Sequence, residues 1–302
     1  MTAMADAYEQ LLEATIQHLE GLKSRGTRFV PVRPETLAAL ASPAPAQPQM
    51  ARAQPVRPPP TPAAAPVSLF PSGSTISAPT PPVSPAPPAP MLTPEAREAK
   101  AVAFADLRAR ALVCVKCPHL ASSRKNVVFG VGSPDAQLMF VGEAPGADED
   151  TQGEPFVGKA GQLLTRIIQT MGLSRETVYI ANILKCRPDT PGETSGNRKP
   201  TPAEMETCIP YLHEQIDLIQ PRVLVALGGT AVEGLLGKTI GITRLRGQWR
   251  EYRNIPLMPT YHPAYLLRNQ APAEKRRVWE DMLAVMETLG MPISEKQRNY
   301  FR

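Results

Sequence analysis

Of the chain's 35 prolines, 20 fall between residues 31 and 94 of a 302-residue sequence. Proline has no backbone N–H to give a helix or a sheet ladder, so this stretch cannot be ordinary globular core. Runs such as Arg57-Pro58-Pro59-Pro60-Thr61-Pro62 and Pro81-Pro82-Val83-Ser84-Pro85 favour an extended, partly polyproline II and disordered spacer. The expected organisation is an amphipathic helical segment over 1–30, a Pro- and Ala-rich linker over 31–93 and one folded domain over 94–302. A domain of that size has room for a single α/β core. Within 5–23, Tyr8, Leu11, Leu12, Thr15, Ile16, Leu19 and Leu22 recur at spacings of three and four. That face suits packing on the main domain, pairing with a copy of itself, or docking on a protein partner.

No apolar run approaches the ~20 residues of a membrane helix. Asp6, Glu9, Glu13 and Glu20 interrupt any secretory core in the first 30 residues, so a cytoplasmic protein is expected. A net charge of +5 tolerates a polyanionic partner without requiring one. The four cysteines are too few for a disulfide scaffold of this length. Cys114 and Cys117 form a Cys-x2-Cys pair, whereas Cys186 and Cys208 are scattered. That spacing fits zinc or an iron–sulfur cluster, and unrelated buried thiols are the plain alternative.

Apolar runs at 137–142, 178–184, 222–227 and 255–260 read as strands. Helices are expected at 93–112, 161–171, 202–219 and 273–289, with a short one after Gly228-Gly229. Thr201 and Glu204 make a capping box for the third of these. Alternation of this kind implies a mainly parallel sheet covered on both faces. Ligands of such sheets bind outside the C-terminal strand ends. The candidates there are Glu143-Ala144-Pro145-Gly146, Asp148-Glu149-Asp150, Phe156, Asn182, Gly228-Gly229 and His262-Pro263-Ala264-Tyr265. Singly, each is ordinary turn or capping chemistry; jointly they gather a carboxylate, an aromatic ring, an amide and an imidazole. No Gly-x-Gly-x-x-Gly, Gly-Lys-Ser/Thr or Gly-x-Ser-x-Gly motif follows a strand, which counts against dinucleotide redox chemistry, nucleotide hydrolysis and serine-hydrolase chemistry.

Five segments carry a resemblance: Cys114-Val115-Lys116-Cys117-Pro118, GEAPGADEDTQGEPFVGKAGQLL around Glu143, VYIANILKCRP around Asn182, NRKPTPAEMETC ending at Cys208, and HPAYLLR from His262. Over about residues 96–290 the sequence resembles the family 4 uracil-DNA glycosylases, the iron–sulfur branch of their superfamily. The resemblance implies a three-layer α/β/α sandwich around a four-stranded parallel sheet, and a [4Fe–4S] cluster on Cys114, Cys117, Cys186 and Cys208. It implies release of uracil from single- or double-stranded DNA by hydrolysis of the N-glycosidic bond, the first step of base excision repair. A monomer associated with the nucleoid is expected. The stretch PDTPGETSG after Arg187 is longer than the family's usual link.

The residues suit that chemistry. A flipped base needs enclosure, and Phe156 offers a stacking face. Asn182 can accept from uracil N3–H and donate to O4, a pattern cytosine reverses. His262 can donate to the departing base. Glu143 is the family's site carboxylate, with Ala144, Pro145 and Gly146 beside it; Glu149 is a second catalytic candidate and Asp150 a third. Leu266, Leu267 and Arg268 suit an apolar wedge with a cation behind it, or merely the start of a helix. A non-catalytic DNA-binding module stapled by a metal cluster and a zinc-bound nucleic-acid protein are the alternative classes.

Overall fold

The computed structural model describes residues 93–189, 197–237 and 241–301. The helix expected at 5–23, the linker up to residue 92 and residues 190–196 lie outside the described residues. Among those described, the strands are β1 (Val131–Gly132), β2 (Leu138–Gly142), β3 (Tyr179–Asn182), β4 (Val223–Leu227), β5 (Arg250–Tyr252) and β6 (Ile255–Thr260). The helices are α1 (Pro94–Leu112), α2 (Pro118–Ser123), α3 (Ala147–Gln152), α4 (Lys159–Thr170), α5 (Pro202–Ile219), α6 (Gly229–Leu236), α7 (Ile242–Leu245), α8 (Pro263–Arg268), α9 (Pro272–Thr288) and α10 (Glu295–Arg298). None is long and apolar enough to cross a membrane.

The strands form one six-stranded sheet in the order β1-β3-β2-β4-β6-β5. β2 pairs in parallel with β3 and β4, and β4 with β6. β1 and β5 run antiparallel on the two edges. The expected count of four strands is therefore corrected to six. β5 carries no apolar run for a sequence reading to find, and β1 is only the tail of the short run Val127-Val128-Phe129-Gly130-Val131. β1 is two half-buried residues, and β5 is Arg-Glu-Tyr at a half-exposed edge. β5 returns into β6 through Arg253 and Asn254, both left-handed with φ of 52° and 62°, as a tight two-residue hairpin loop requires.

Side chains alternate between two cores. Met139, Val141, Leu224, Ala226 and Leu257 face Leu212 and Ile216 of α5 and Val232 of α6. Leu138, Phe140, Val223, Val225 and Met258 face Leu164 and Ile168 of α4 and Met282 and Met286 of α9. Parallel strands demand such crossovers, and both faces become apolar as a result. Each buried aliphatic side chain contributes about 1.5–3 kcal/mol.

Helix ends follow local chemistry. Thr201 Oγ1 accepts from the Glu204 N–H at 3.2 Å, and Glu204 Oε2 accepts from the Thr201 N–H at 2.8 Å. Glu204 is also bound by Arg198 and by His119 Nε2, the latter at 2.6 Å. The Arg198 guanidinium holds its carboxyl well below the usual carboxylate range. This buried carboxylate thus joins α2, which follows Cys117, to α5, which carries Cys208.

Candidate active site and cysteine-lined cavity

The central strands end together. Gly142, last in β2, pairs with Asn182, last in β3. A Cβ on Gly142 would collide with Asn182 Oδ1 and with the rim of the Phe156 ring. Glycine at 142 is what lets the ring and the amide close over the strand end. Asn182 is 2% exposed, yet its side-chain amide makes no hydrogen bond among the described residues. Its amide atoms are not among the fully buried polar atoms that lack a partner, so they open onto the strand end, where a ligand can reach them.

Phe156 is buried and left-handed, with φ of 55°, a conformation that costs a non-glycine residue free energy. Its surroundings hold it there. Arg175 donates Nη1 to the Phe156 carbonyl at 3.0 Å and Nη2 to the Pro155 carbonyl at 2.7 Å. Gly161 of α4 lies so close to the Phe156 backbone that any Cβ would overlap it. Glu149 closes the loop from the other side. Its Oε2 accepts from the Gly146 N–H at 3.0 Å, and its Oε1 from the Val157 and Gly158 N–H groups at 2.9 and 3.0 Å. Glu143 is half-buried, and its carboxylate makes no hydrogen bond among the described residues. Pro145 is buried and Ala144 packs against the core under α5. Asp150, read from the sequence as a turn residue or a water-orienting one, is buried; it accepts from the Lys125 and Asn126 N–H groups at 3.0 and 3.2 Å.

His262 caps α8 just beyond β6. Its Nδ1 accepts from the Ala264 N–H at 3.1 Å, which leaves the proton of the neutral ring on Nε2. The imidazole lies 5.6 Å from the Phe156 ring, centroid to centroid, tilted by 32°. Gly228, with φ of 93°, leaves room for the His262 Cβ at the end of β4. Burial pushes the imidazole pKa down to about 4, helped by the charge of Arg268 and opposed by that of Glu149. Behind it, Thr260 donates to the buried Asp281 at 2.6 Å, and Arg246 binds the same carboxylate. Further along α8, Leu266 is packed against Tyr261 and Val278, Leu267 is half-buried and Arg268 is exposed.

All four cysteines line one cavity, together with Arg124 and Leu184. None is in a disulfide. Arg124 Nη1 donates to Cys186 Sγ at 3.1 Å and the Lys185 N–H to Cys208 Sγ at 3.3 Å. Burial raises the thiol pKa of Cys117 and Cys186, and of Cys208 to about 11. Among the described residues, no three His, Cys, Asp or Glu side chains are arranged to hold a single metal ion.

The structure thus brings Gly142, Phe156, Asn182 and His262 together and gathers the cysteines separately. It adds two groups missed in the sequence. Arg175 sits in the Ser-Arg-Glu-Thr turn ahead of β3 with no motif around it, and Lys185 is inconspicuous between an apolar run and Cys186. A family model described as the uracil DNA glycosylase superfamily matches residues 129–283. A type-4 uracil-DNA glycosylase of Thermotoga maritima is 46% identical over 174 residues, 56% of this chain and 85% of that protein. One from Archaeoglobus fulgidus is 42% identical over 170 residues, 54% of this chain and 82% of that protein. A type-5 uracil-DNA glycosylase of Thermus thermophilus is 29% identical over 175 residues, 48% of this chain and 76% of that protein. The chain belongs to the uracil-DNA glycosylase superfamily and, within it, to the type-4 branch.

Proposed function

We propose that the domain over 94–302, a three-layer sandwich about the four central parallel strands, hydrolyses the N-glycosidic bond of deoxyuridine in DNA. It releases uracil and leaves an abasic site for base excision repair at the nucleoid. The observation that carries the reading is the unbonded Asn182 amide, on a residue only 2% exposed, set against the Phe156 ring over Gly142. That pair has the shape and polarity to hold one flat base with a donor and an acceptor on its edge.

In this reading the uracil ring stacks on Phe156, and Asn182 accepts from N3–H and donates to O4. Cytosine would face like groups and leave them unpaired. As C1′–N1 breaks, the bonding pair moves onto the base, spread over N1 and O2. The neutral His262, fixed through Nδ1, donates Nε2–H to that oxygen. Glu143 orients the water whose oxygen bonds C1′, and takes up its proton. Glu149 is assigned a positioning role instead of a catalytic one, because its carboxylate is already spent on three backbone N–H groups. Leu267, with Arg268 beside it, is the wedge into the stack; Leu266 is committed to the core.

The four cysteines fit an iron–sulfur cluster. They share one cavity and receive N–H donors as anionic sulfur does. Bound there, the cluster would staple the segments ahead of α2, after β3 and within α5.

The test is purification without oxygen, metal analysis, and alkali cleavage of uracil-containing oligonucleotides after incubation. About four iron atoms per chain and strand breaks confined to uracil are expected. Intact binding to DNA without base release would sink the enzymatic reading. Zinc in place of iron with full excision would overturn the cofactor alone.

A further inference from the structure

Lys185 is 2% exposed, an unusual place for an amine. Its Nζ donates to the main-chain carbonyl of Asn182 at 2.9 Å and to Gln215 Oε1 at 2.6 Å. Gln215 is itself fully buried and fixed from behind, its Nε2 donating to the Phe129 carbonyl at 2.9 Å and the Tyr179 hydroxyl at 3.0 Å. The Lys185 peptide is held as well. Its N–H donates to Cys208 Sγ at 3.3 Å, and its carbonyl accepts from the Val128 N–H at 2.8 Å.

Asn182 is the last residue of β3, and the peptide that follows it is still held on its N–H side, where Ile183 donates to the Gly142 carbonyl at 3.0 Å. The Lys185 ammonium holds the carbonyl side of the same peptide, and with it the Cα–Cβ vector that aims the amide. Its two hydrogen bonds, both buried, offset part of the hydration the ammonium loses.

We propose that Lys185 is a positioning residue for base recognition: one residue clamps the carbonyl of Asn182 with its side chain and a sulfur of the cysteine-lined cavity with its backbone, so that an intact cavity holds the base-reading amide in place. The proposal rests on the assignment of Asn182 as the uracil reader and of Cys208 as a cluster ligand.

Lys185→Met keeps the length of the side chain and removes the ammonium. Its iron content should match the parent enzyme, and its affinity for uracil-containing DNA should change less than about twofold, because phosphates supply most of that affinity. Its single-turnover excision rate should fall about 10- to 100-fold, the scale of a misplaced contact group. In an Asn182→Ala background the same change should cost less than about twofold, because both act through one amide. A purely structural lysine would give losses that multiply. Full excision by Lys185→Met, or losses that multiply with those of Asn182→Ala, would overturn the proposal. Should Lys185→Met fail to assemble, Gln215→Met takes away the ammonium's other acceptor and must show the same non-additivity; a normal rate or multiplying losses would again overturn it. An Asn182→Ala enzyme with an undiminished rate would instead remove the base-reading assignment on which the proposal stands.

Discussion

At residue scale, the site works through the protonation state and direction of single groups. His262 is held by Nδ1 accepting from a backbone N–H, and burial pushes its pKa down to about 4. A hydrogen-bond donor is therefore ready at Nε2 at neutral pH without a proton being taken up. The folded-state value lies below that of a free histidine, so the unfolded chain binds the proton first as pH falls. Stability from the neutral ring is complete above about pH 6.5 and is lost progressively toward about pH 4. NMR titration of the imidazole should find its midpoint near 4, and the excision rate should show no inflection from this residue near 6.5. A midpoint near 6.5 would mean that the ring is solvated and not fixed for donation. The candidate site residues were legible in the sequence because they stand at strand ends inside the motifs that carry the family resemblance. What each carboxylate does was not. Glu149 and Asp150 are near neighbours in an acidic run, and only the fold shows that both are consumed by backbone N–H groups, Glu149 across the Phe156 loop and Asp150 at 125–126.

At the scale of elements, the loop between α3 and α4 stores backbone strain at Phe156 and is braced by its neighbours. Arg175 carries the brace through two carbonyls, and Gly161 permits the close approach of α4. Arg175→Met removes the two charged hydrogen bonds to the loop carbonyls, worth about 1.5–3 kcal/mol each where they persist, and a longer one to Thr165 Oγ1. The expected result is a fall in Tm and a loss of about 10- to 100-fold in single-turnover excision, with DNA affinity retained. Wild-type excision kinetics in that variant would show that Phe156 keeps its conformation unaided. Long apolar or well-capped elements, such as β4 and α5, stand within a residue of their expected bounds because burial and capping are local signals. β1 and β5 are short and half-exposed, and tertiary pairing selects them.

At the scale of the whole molecule, every proposed site residue and all four cysteines lie within 114–268. A chain starting at residue 92 therefore keeps the site and the cysteine-lined cavity, and should excise uracil from short oligonucleotides at nearly the full-length rate. A truncated protein that holds its iron yet fails on short DNA would show that the N-terminal third belongs to the catalytic unit. Strand periodicity, the capping box at Thr201 and the order of the motif residues were properties of the sequence itself, because hydrophobic pattern, local hydrogen bonding and residue chemistry act over a few positions. The six-strand count, the burial of Leu266, the brace at Arg175 and the span of Lys185 from Asn182 to Cys208 were decided only in three dimensions. Each depends on which segments the sheet brings into contact, and contacts between residues far apart in the chain leave no periodic trace along it.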